Sequence, residues 1–166
     1  MPPPPPSPPS PPTPPHPLLY HLVQLPLWRQ ASTSTPPLYF PPTYAEDGFT
    51  HLTADASLLL GVANQFYRAV DAAIEWRVLV LDAAKLAASG AGEVKYEAAA
   101  PVGTIAAREG DAGLLYPHLY GGIPAGGGGD GGGVVLAELS VVRAPGEGGE
   151  FLSIAGLEQW AGAAAK

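Results

Sequence analysis

The sequence contains no cysteine, only eight lysine and arginine residues, and no long apolar run. Without cysteine the chain cannot form a disulfide, a thiolate nucleophile or a Cys-ligated zinc site, which agrees with a reducing compartment. Because lysine and arginine drive phosphate binding, the formal charge of −7 argues against a broad nucleic-acid surface. Nothing approaches the run of about 20 apolar residues that spans a bilayer, and no signal peptide is evident. We therefore expect a soluble, cytoplasmic protein that does not enter membranes.

Proline and glycine are abundant, at 21 residues each, but they are concentrated in a few segments. Residues 1–17 form a polyproline tract, whose fixed φ angles and missing amides predict a disordered, extended polyproline II tail. This tail either binds a proline-recognition domain of the SH3, WW or profilin kind or has no partner. The glycine run 126–133 predicts a flexible surface loop, and it lacks the Lys-Ser/Thr ending of a phosphate-binding loop.

The remaining residues are enough for one domain with a hydrophobic core. We place this globular domain at residues 18–143. The segment 144–166 is rich in glycine and alanine, and its order is left open by the sequence. Its larger apolar side chains either form one more apolar edge or fray, and they are Phe151, Ile154, Leu157 and Trp160.

Periodicity predicts strands and helices along the domain. Residues 18–25 alternate as a strand, and Pro26 fits the first turn of a short helix. Residues 75–82 form a nearly continuous apolar run, which is typical of a central strand buried on both faces. A short strand is predicted at residues 94–97 and a last clear strand at residues 134–143.

The stretch between Tyr44 and Tyr67 predicts a turn, a short strand and a helix. Gly48 favours the turn, and the alternation after it would place Phe49 and His51 on one face of the strand. The helix is indicated by apolar residues at helical spacing, namely Leu59, Val62, Ala63, Phe66 and Val70. This arrangement would hold His51 on rigid backbone.

Three of the four histidines, His21, His51 and His118, are embedded in these predicted elements or in an aromatic segment. Taken singly, each fits an ordinary structural histidine. Taken together, three such residues fit a shared site. They do not predict a metal centre, because zinc sites commonly include a close pair of ligands on one element and no two of these lie within a turn of each other.

Several separated motifs, taken in order, resemble those of the small proteins catalogued as domain of unknown function 952. The resemblance covers roughly residues 18–143. It is carried by Leu19-Tyr20-His21-Leu22, Trp28, Gly48-Phe49-Thr50-His51-Leu52-Thr53, Ala63-Asn64-Gln65-Phe66-Tyr67, Tyr96-Glu97 and Pro117-His118-Leu119-Tyr120-Gly121. It implies an α/β (α+β) domain similar to the ADP-ribosyltransferase superfamily: a single compact unit with a split, mostly antiparallel sheet, flanking helices and an NAD-sized cleft.

A weaker resemblance links part of the chain to the RNA 2′-phosphotransferases, which use NAD. It is carried by Leu19-Tyr20-His21, Trp28 and Thr50-His51-Leu52-Thr53. Those enzymes hold phosphates with several arginines, whereas the positions around His51 are acidic or apolar. The departure argues against RNA phosphate transfer, even if NAD binding is retained.

Cleavage of NAD would require groups that hold ribose and diphosphate, an aromatic wall for nicotinamide, and a carboxylate near the charge that develops on the ribose. For this chemistry we nominate His21, His51 and Glu97 as catalytic residues. The candidate NAD-contacting residues are Tyr20, His21, Tyr44, Phe49, His51, Tyr67, His118 and Tyr120. The expected function is thus transfer of ADP-ribose from NAD or its hydrolysis. The alternative is a non-catalytic module that binds a nucleotide-like ligand or a protein on the same scaffold.

Overall fold

The computed structural model describes residues 1–7, 9, 13–126, 133–146 and 148–164. Much of the loop predicted from the glycine run lies outside these residues, as does part of the polyproline tract. Within the described ranges, no helix is both long and apolar enough to cross a bilayer.

The chain alternates short helices with nine strands in its described part. In order, the elements are β1 (Leu18–Gln24), α1 (Leu25–Ser32), β2 (Leu38–Tyr39), α2 (Tyr44–Asp47), β3 (Thr50–His51), α3 (Leu59–Phe66), β4 (Trp76–Asp82), α4 (Ala83–Ala88), β5 (Gly92–Ala98), β6 (Leu115–Gly121), β7 (Ile123–Pro124), β8 (Val135–Arg143), β9 (Phe151–Ile154) and α5 (Leu157–Ala164).

The strands form three antiparallel sheets. The largest has the order β1-β4-β8-β9, a second has the order β3-β6-β5, and β2 pairs with β7. This combination of helices with antiparallel sheets confirms the α+β class. Strand β4 lies inside the largest sheet with Val78, Leu79, Val80 and Leu81 fully buried, as its unbroken apolar run predicted.

Side-chain alternation on β1 and β4 produces two hydrophobic clusters, one on each face of the largest sheet. Leu19 and Leu79 belong to the first cluster, which packs against α1 and α4. Tyr20 and Val78 belong to the second, which packs against α3 and the C-terminal elements. Helices therefore cover both faces of the sheet.

The first two sheets are joined at β1, and this junction positions the candidate site. Tyr20 and Thr53 exchange two backbone hydrogen bonds, with N···O distances of 2.8 and 2.9 Å. The amide of Leu52, just after β3, donates to the carbonyl of Pro117 in β6 at 3.0 Å. Because of these bonds, the middle of β1 lies beside β3 and β6, although the three strands are far apart in sequence.

The C-terminal segment adds a strand to the largest sheet. Phe151 and Ile154 are buried there, so the apolar-edge alternative describes this segment better than fraying does. The side-chain amide of Asn64 in α3 donates to the Phe151 carbonyl at 3.0 Å and accepts from the Phe151 amide at 2.8 Å. These two bonds occupy backbone groups that an edge strand would otherwise expose.

Two local predictions differ from the structure. The turn before Gly48 is a single helical turn, α2, which Gly48 ends with a φ of 82°. Helix α3 ends at Phe66, so Val70 lies beyond it. The apolar residues keep their helical spacing as far as Val70 because Val70 still packs against the second cluster, from the turn that follows α3.

The polyproline tail is exposed over residues 1–7, 9 and 13 and has no regular structure there. Its last two residues nevertheless contact the domain. His16 Nδ1 lies 3.1 Å from the Tyr96 hydroxyl, and the Pro17 carbonyl accepts a 3.0 Å hydrogen bond from the Ala83 amide.

Deleting residues 1–13 should leave the thermal midpoint of unfolding unchanged, because exposed tail residues bury no apolar area. Deleting residues 1–17 also removes the two contacts of His16 and Pro17, and should cost on the order of 1 kcal/mol. Thermal unfolding of both truncations, followed by circular dichroism, provides the measurement. A fall of many degrees in the shorter truncation would mean that the tail packs on the domain.

Candidate functional site

A cavity lies where β1 meets β3 and β6, and one helix and one connection close it. The void that a water molecule can enter measures about 40 Å³, within a wider concavity of about 500 Å³ that opens partly to solvent. Its polar lining consists of Tyr20, His21, His51, Thr53, Tyr67, Asp111, Tyr116 and His118. Its apolar wall comes from α3 (Val62, Phe66) and from the connection between β5 and β6 (Ala99, Ala100, Val102, Ala107).

His21 is held in the cavity wall by the backbone of β3. Its Nδ1 lies 2.6 Å from the His51 carbonyl oxygen, and the side chain is almost completely buried. Burial disfavours the charged ring and lowers the pKa of His21 to about 4, although the bond to His51 opposes this shift. Its Nε2 atom is buried and has no hydrogen-bond partner among the described residues.

His118 is held by a carboxylate on the neighbouring strand. Its Nδ1 lies 3.1 Å from Glu97 Oε1, and the Tyr120 hydroxyl donates to the same oxygen at 2.6 Å. Hydrogen bonds from Tyr120 and His118 lower the pKa of Glu97, whose side chain is 40% exposed, so this carboxylate is ionised at neutral pH. Burial lowers the pKa of His118, and its Nε2 has no partner in the described part of the chain.

His51 pairs with His118 across β3 and β6, and the two ring centroids are 5.4 Å apart. His51 Nε2 lies 2.9 Å from Asp47 Oδ2, at the end of α2. The Gly103 amide donates to both oxygens of Asp47, at 3.1 and 3.2 Å. The Asp47 carboxylate therefore fixes the His51 ring, and burial lowers the pKa of His51 despite this partner.

The outer side of the histidine pair is covered by aromatic rings. The Phe49 ring stacks on His118 with centroids 4.1 Å apart, and it lies 4.7 Å from His51 and 5.4 Å from Tyr120. Phe49 and Tyr120 are thus next to the site but are not part of the cavity lining. They shield the histidines from solvent on that side.

Asp111 is a buried carboxylate in the cavity wall that sequence analysis did not identify. Its side chain is 4% exposed, and Arg108 Nε lies 3.6 Å from its Oδ2 atom. A Cβ atom at Gly61 in α3 would collide with the Arg108 guanidinium, so a larger residue there would require the end of the Arg108 side chain to move. Asp111 lies in a connection without periodicity, and no local pattern distinguished it from the other acidic residues.

Two tyrosine hydroxyls complete the polar wall. The hydroxyls of Tyr20 and Tyr116 are buried and form no hydrogen bond with any described residue. Burial is the main cause that raises the pKa of Tyr116 to about 12, and the nearby Asp111 carboxylate adds to it. Tyr116 was not among the residues nominated from the sequence.

The structure brings most of the nominated residues together. Five of them line the cavity, namely Tyr20, His21, His51, Tyr67 and His118. Glu97 contacts His118 from outside the lining, and Phe49 and Tyr120 lie on the same outer side. Tyr44 lies elsewhere and packs on Phe40, with ring centroids 4.8 Å apart. Among the described residues, no three His, Asp or Glu side chains are arranged to hold a metal ion.

Comparison with known proteins identifies a family. No curated protein and no solved structure matches the chain. A family model described as "Protein of unknown function (DUF952)" matches residues 22–127, which is more than half of the chain. The matched range is narrower than the 18–143 suggested by the motifs, and it includes His51, Glu97, Asp111 and His118. The chain therefore belongs to the DUF952 family.

Proposed function

We propose that the domain binds a nucleotide-like ligand, with NAD as the first candidate, in the cavity between β1, β3 and β6. The observation that supports this best is the set of buried polar atoms with no partner among the described residues. They are Tyr20 OH, His21 Nε2, Tyr116 OH and His118 Nε2, and all four residues line the same cavity. Buried polar groups are nearly always hydrogen-bonded, so a cluster of four unpaired ones indicates a place for a polar ligand.

The size of the closed void limits how much of a ligand it can hold. The space open to a water molecule measures about 40 Å³, well below the roughly 300 to 1,000 Å³ of small-molecule sites, so only part of a nucleotide would fit inside it. The rings of Tyr20, Phe66 and Tyr67 provide flat apolar surface for a base or a nicotinamide ring. The narrower inner void accepts only the end of such a ligand, so the remainder would occupy the open part of the concavity.

Charge limits where a diphosphate would lie. The cavity lining carries one formally charged side chain, that of Asp111, and no lysine or arginine. Arg108 lies beside it, with a buried NH1 group that has no partner in the described ranges. A diphosphate would therefore bind toward Arg108 and the solvent, while the inner void would take an uncharged part of the ligand.

The proposed activity is transfer of ADP-ribose from NAD or its hydrolysis. Departure of nicotinamide leaves positive charge on the ribose, and a carboxylate close to that charge lowers the barrier. Asp111 faces the cavity, whereas Glu97 contacts it only through His118. The second candidate function is a non-catalytic binding module, which is favoured by the engagement of Glu97 with His118 and Tyr120 rather than with the cavity.

We further propose that the protein is cytoplasmic and that the polyproline tail binds a proline-recognition domain. The absence of cysteine from the sequence supports the first proposal. The exposure of the described tail residues up to residue 13 supports the second, because such domains bind extended, accessible polyproline II chains.

Calorimetric titration with NAD tests the ligand. Wild-type protein should bind NAD, and His51→Ala should weaken binding by roughly 1 to 3 kcal/mol, the loss expected when a polar group of the ligand is left unpaired. The substitution keeps the His51 carbonyl that holds His21, so the fold should survive.

His16→Ala is the matched control, since His16 belongs to the tail and contacts Tyr96 rather than the cavity. Release of nicotinamide over hours separates the two candidate functions: release supports an enzyme, and binding without release supports a module. Absence of NAD binding, or an unchanged affinity in His51→Ala, would contradict the proposed site.

A further inference from the structure

The hydrogen bond of His21 fixes where its ring carries hydrogen. A backbone carbonyl can only accept, so the nitrogen 2.6 Å from the His51 oxygen must be an N–H donor. His21 is uncharged at neutral pH because burial opposes its protonation. The other ring nitrogen, Nε2, therefore carries a buried lone pair with no partner among the described residues, and His21 lines the cavity.

The same reasoning applies to His118. The Glu97 carboxylate is ionised and can only accept, so His118 Nδ1 carries the hydrogen. His118 Nε2 is then a second buried lone pair with no partner in the described part of the chain, on another residue that lines this cavity. Two strands thus contribute one fixed hydrogen-bond acceptor each, from residues 97 positions apart in sequence.

The hydroxyl of Tyr20 can supply a donor to the same cavity. It is buried and has no acceptor among the described residues, so it can donate to an oxygen atom of a ligand, whereas the Tyr116 hydroxyl lies beside the Asp111 carboxylate. The charge of Asp111 is offset by Arg108, and the wall is therefore close to neutral. A charged group entering the void would lose its hydration without an unpaired counter-charge.

We infer that the inner void is a recognition site for an uncharged primary amide group. The two hydrogens of the amide nitrogen would be accepted by His21 Nε2 and His118 Nε2, and the amide oxygen would accept from the hydroxyl of Tyr20. A water molecule needs about 10–15 Å³ of such space, so a void of about 40 Å³ has room for roughly three atoms of that size. An amide group has three heavy atoms.

This specificity should reject the closest charged analogue of an amide. A carboxylate has the same shape but no N–H, so its oxygens would face the two histidine lone pairs without a proton between them. Sites that hydrogen-bond a donor group discriminate strongly against ligands that lack it, because the buried acceptors are then left unpaired. The inference rests on the proposed function only in taking this cavity as the ligand site; it does not require a dinucleotide.

Titrations followed by ¹H–¹⁵N NMR test it with three probes: isobutyramide, its carboxylate analogue isobutyrate, and the larger N,N-dimethylisobutyramide, whose amide nitrogen carries no hydrogen. Isobutyramide should shift the backbone amide signals of residues around the cavity, such as Leu22, Thr53 and His118. Its dissociation constant should be at least about tenfold lower than that of the other two probes. Equal or stronger effects from isobutyrate would overturn the inference.

The variant Tyr20→Phe removes a hydroxyl that makes no hydrogen bond to a described residue. Isobutyramide affinity should fall by about five- to tenfold. Tyr44→Phe is the matched control, because Tyr44 packs on Phe40 away from the cavity. Unchanged affinity in the folded Tyr20→Phe variant would also overturn the inference.

The outcome is separable from that of the NAD experiment. Selective binding of isobutyramide without binding of NAD would support the amide site and contradict NAD as the ligand. Binding of NAD without preference among the three probes would support the proposed function and overturn the amide site.

Discussion

Lowering the pH from 7 to 4 should reduce the free energy of unfolding by about 3 kcal/mol through His21 alone. The pKa of His21 is about 4 in the folded protein, against 6.5 for the unperturbed ring. Between these values the unfolded chain binds a proton that the folded domain refuses, so stability falls as the pH falls. Most of the loss has occurred at pH 4, and the rest follows as the pH falls through the folded-state pKa; one pKa unit corresponds to about 1.4 kcal/mol.

Urea denaturation of wild type and of His21→Asn at pH 7, 6, 5 and 4 isolates this contribution. Asparagine retains an N–H donor for the His51 carbonyl but does not titrate, so the variant should lose stability less steeply with falling pH. The stability of this variant should still fall to some extent with falling pH, because burial also lowers the pKa values of His51 and His118.

His16→Asn is the matched control, because His16 is exposed. The stability of this variant should fall with pH as steeply as that of the wild type. Parallel curves for wild type and His21→Asn would contradict the assignment of a buried, neutral His21.

The sequence predicted the parts of the fold that depend on local patterns. The apolar run before Asp82 indicated a strand buried on both faces, and residues 78–81 are indeed fully buried. Alternation likewise identified β1. This strand pairs with β4 over the full length of both strands, with Leu18 opposite Asp82 at one end. These patterns arise because each face of a sheet imposes a period of two on the chain.

The arrangement of the site depends on pairing between distant segments, which no local pattern specifies. His51 faces His118 because β3 pairs with β6 in one register, and a shift of one residue would turn His51 to the other face. Asp111 reaches the cavity from a connection without regular pattern, held by Arg108. The grouping of the histidines was thus a hypothesis from their number and motifs, whereas Asp111 and Tyr116 could be found only in the structure.

Three of the nominated aromatic residues also show what the sequence alone could not predict. Phe49, Tyr44 and Tyr120 were nominated as ring-stacking partners of a ligand because aromatic side chains suit that role. In the structure Phe49 stacks on His118, and Tyr120 donates to Glu97. Sequence composition identifies a residue that can stack, but only packing determines what it stacks on.

Two carboxylates adjoin the site, and the proposed cleavage of NAD gives them different expected effects. Asp111 lines the cavity, so Asp111→Asn should lower turnover by about two to three orders of magnitude with little change in NAD affinity, the pattern of a group that acts mainly on charge in the transition state. Glu97 contacts His118 Nδ1 and lies outside the lining, so it is a positioning residue in this arrangement.

Glu97→Gln should therefore lower turnover by only about one order of magnitude. The glutamine oxygen can still accept from His118 Nδ1, which leaves the lone pair on His118 Nε2. Glu97→Leu removes that acceptor, so it should lower turnover clearly more than Glu97→Gln does. If Glu97 acted only through its charge, the two variants would lower turnover equally. The measurements are kcat and KM for nicotinamide release, with circular dichroism to verify that each variant folds. A hundredfold or larger loss in Glu97→Gln with a mild effect of Asp111→Asn would instead make Glu97 the carboxylate that acts on the ribose, as nominated from the sequence.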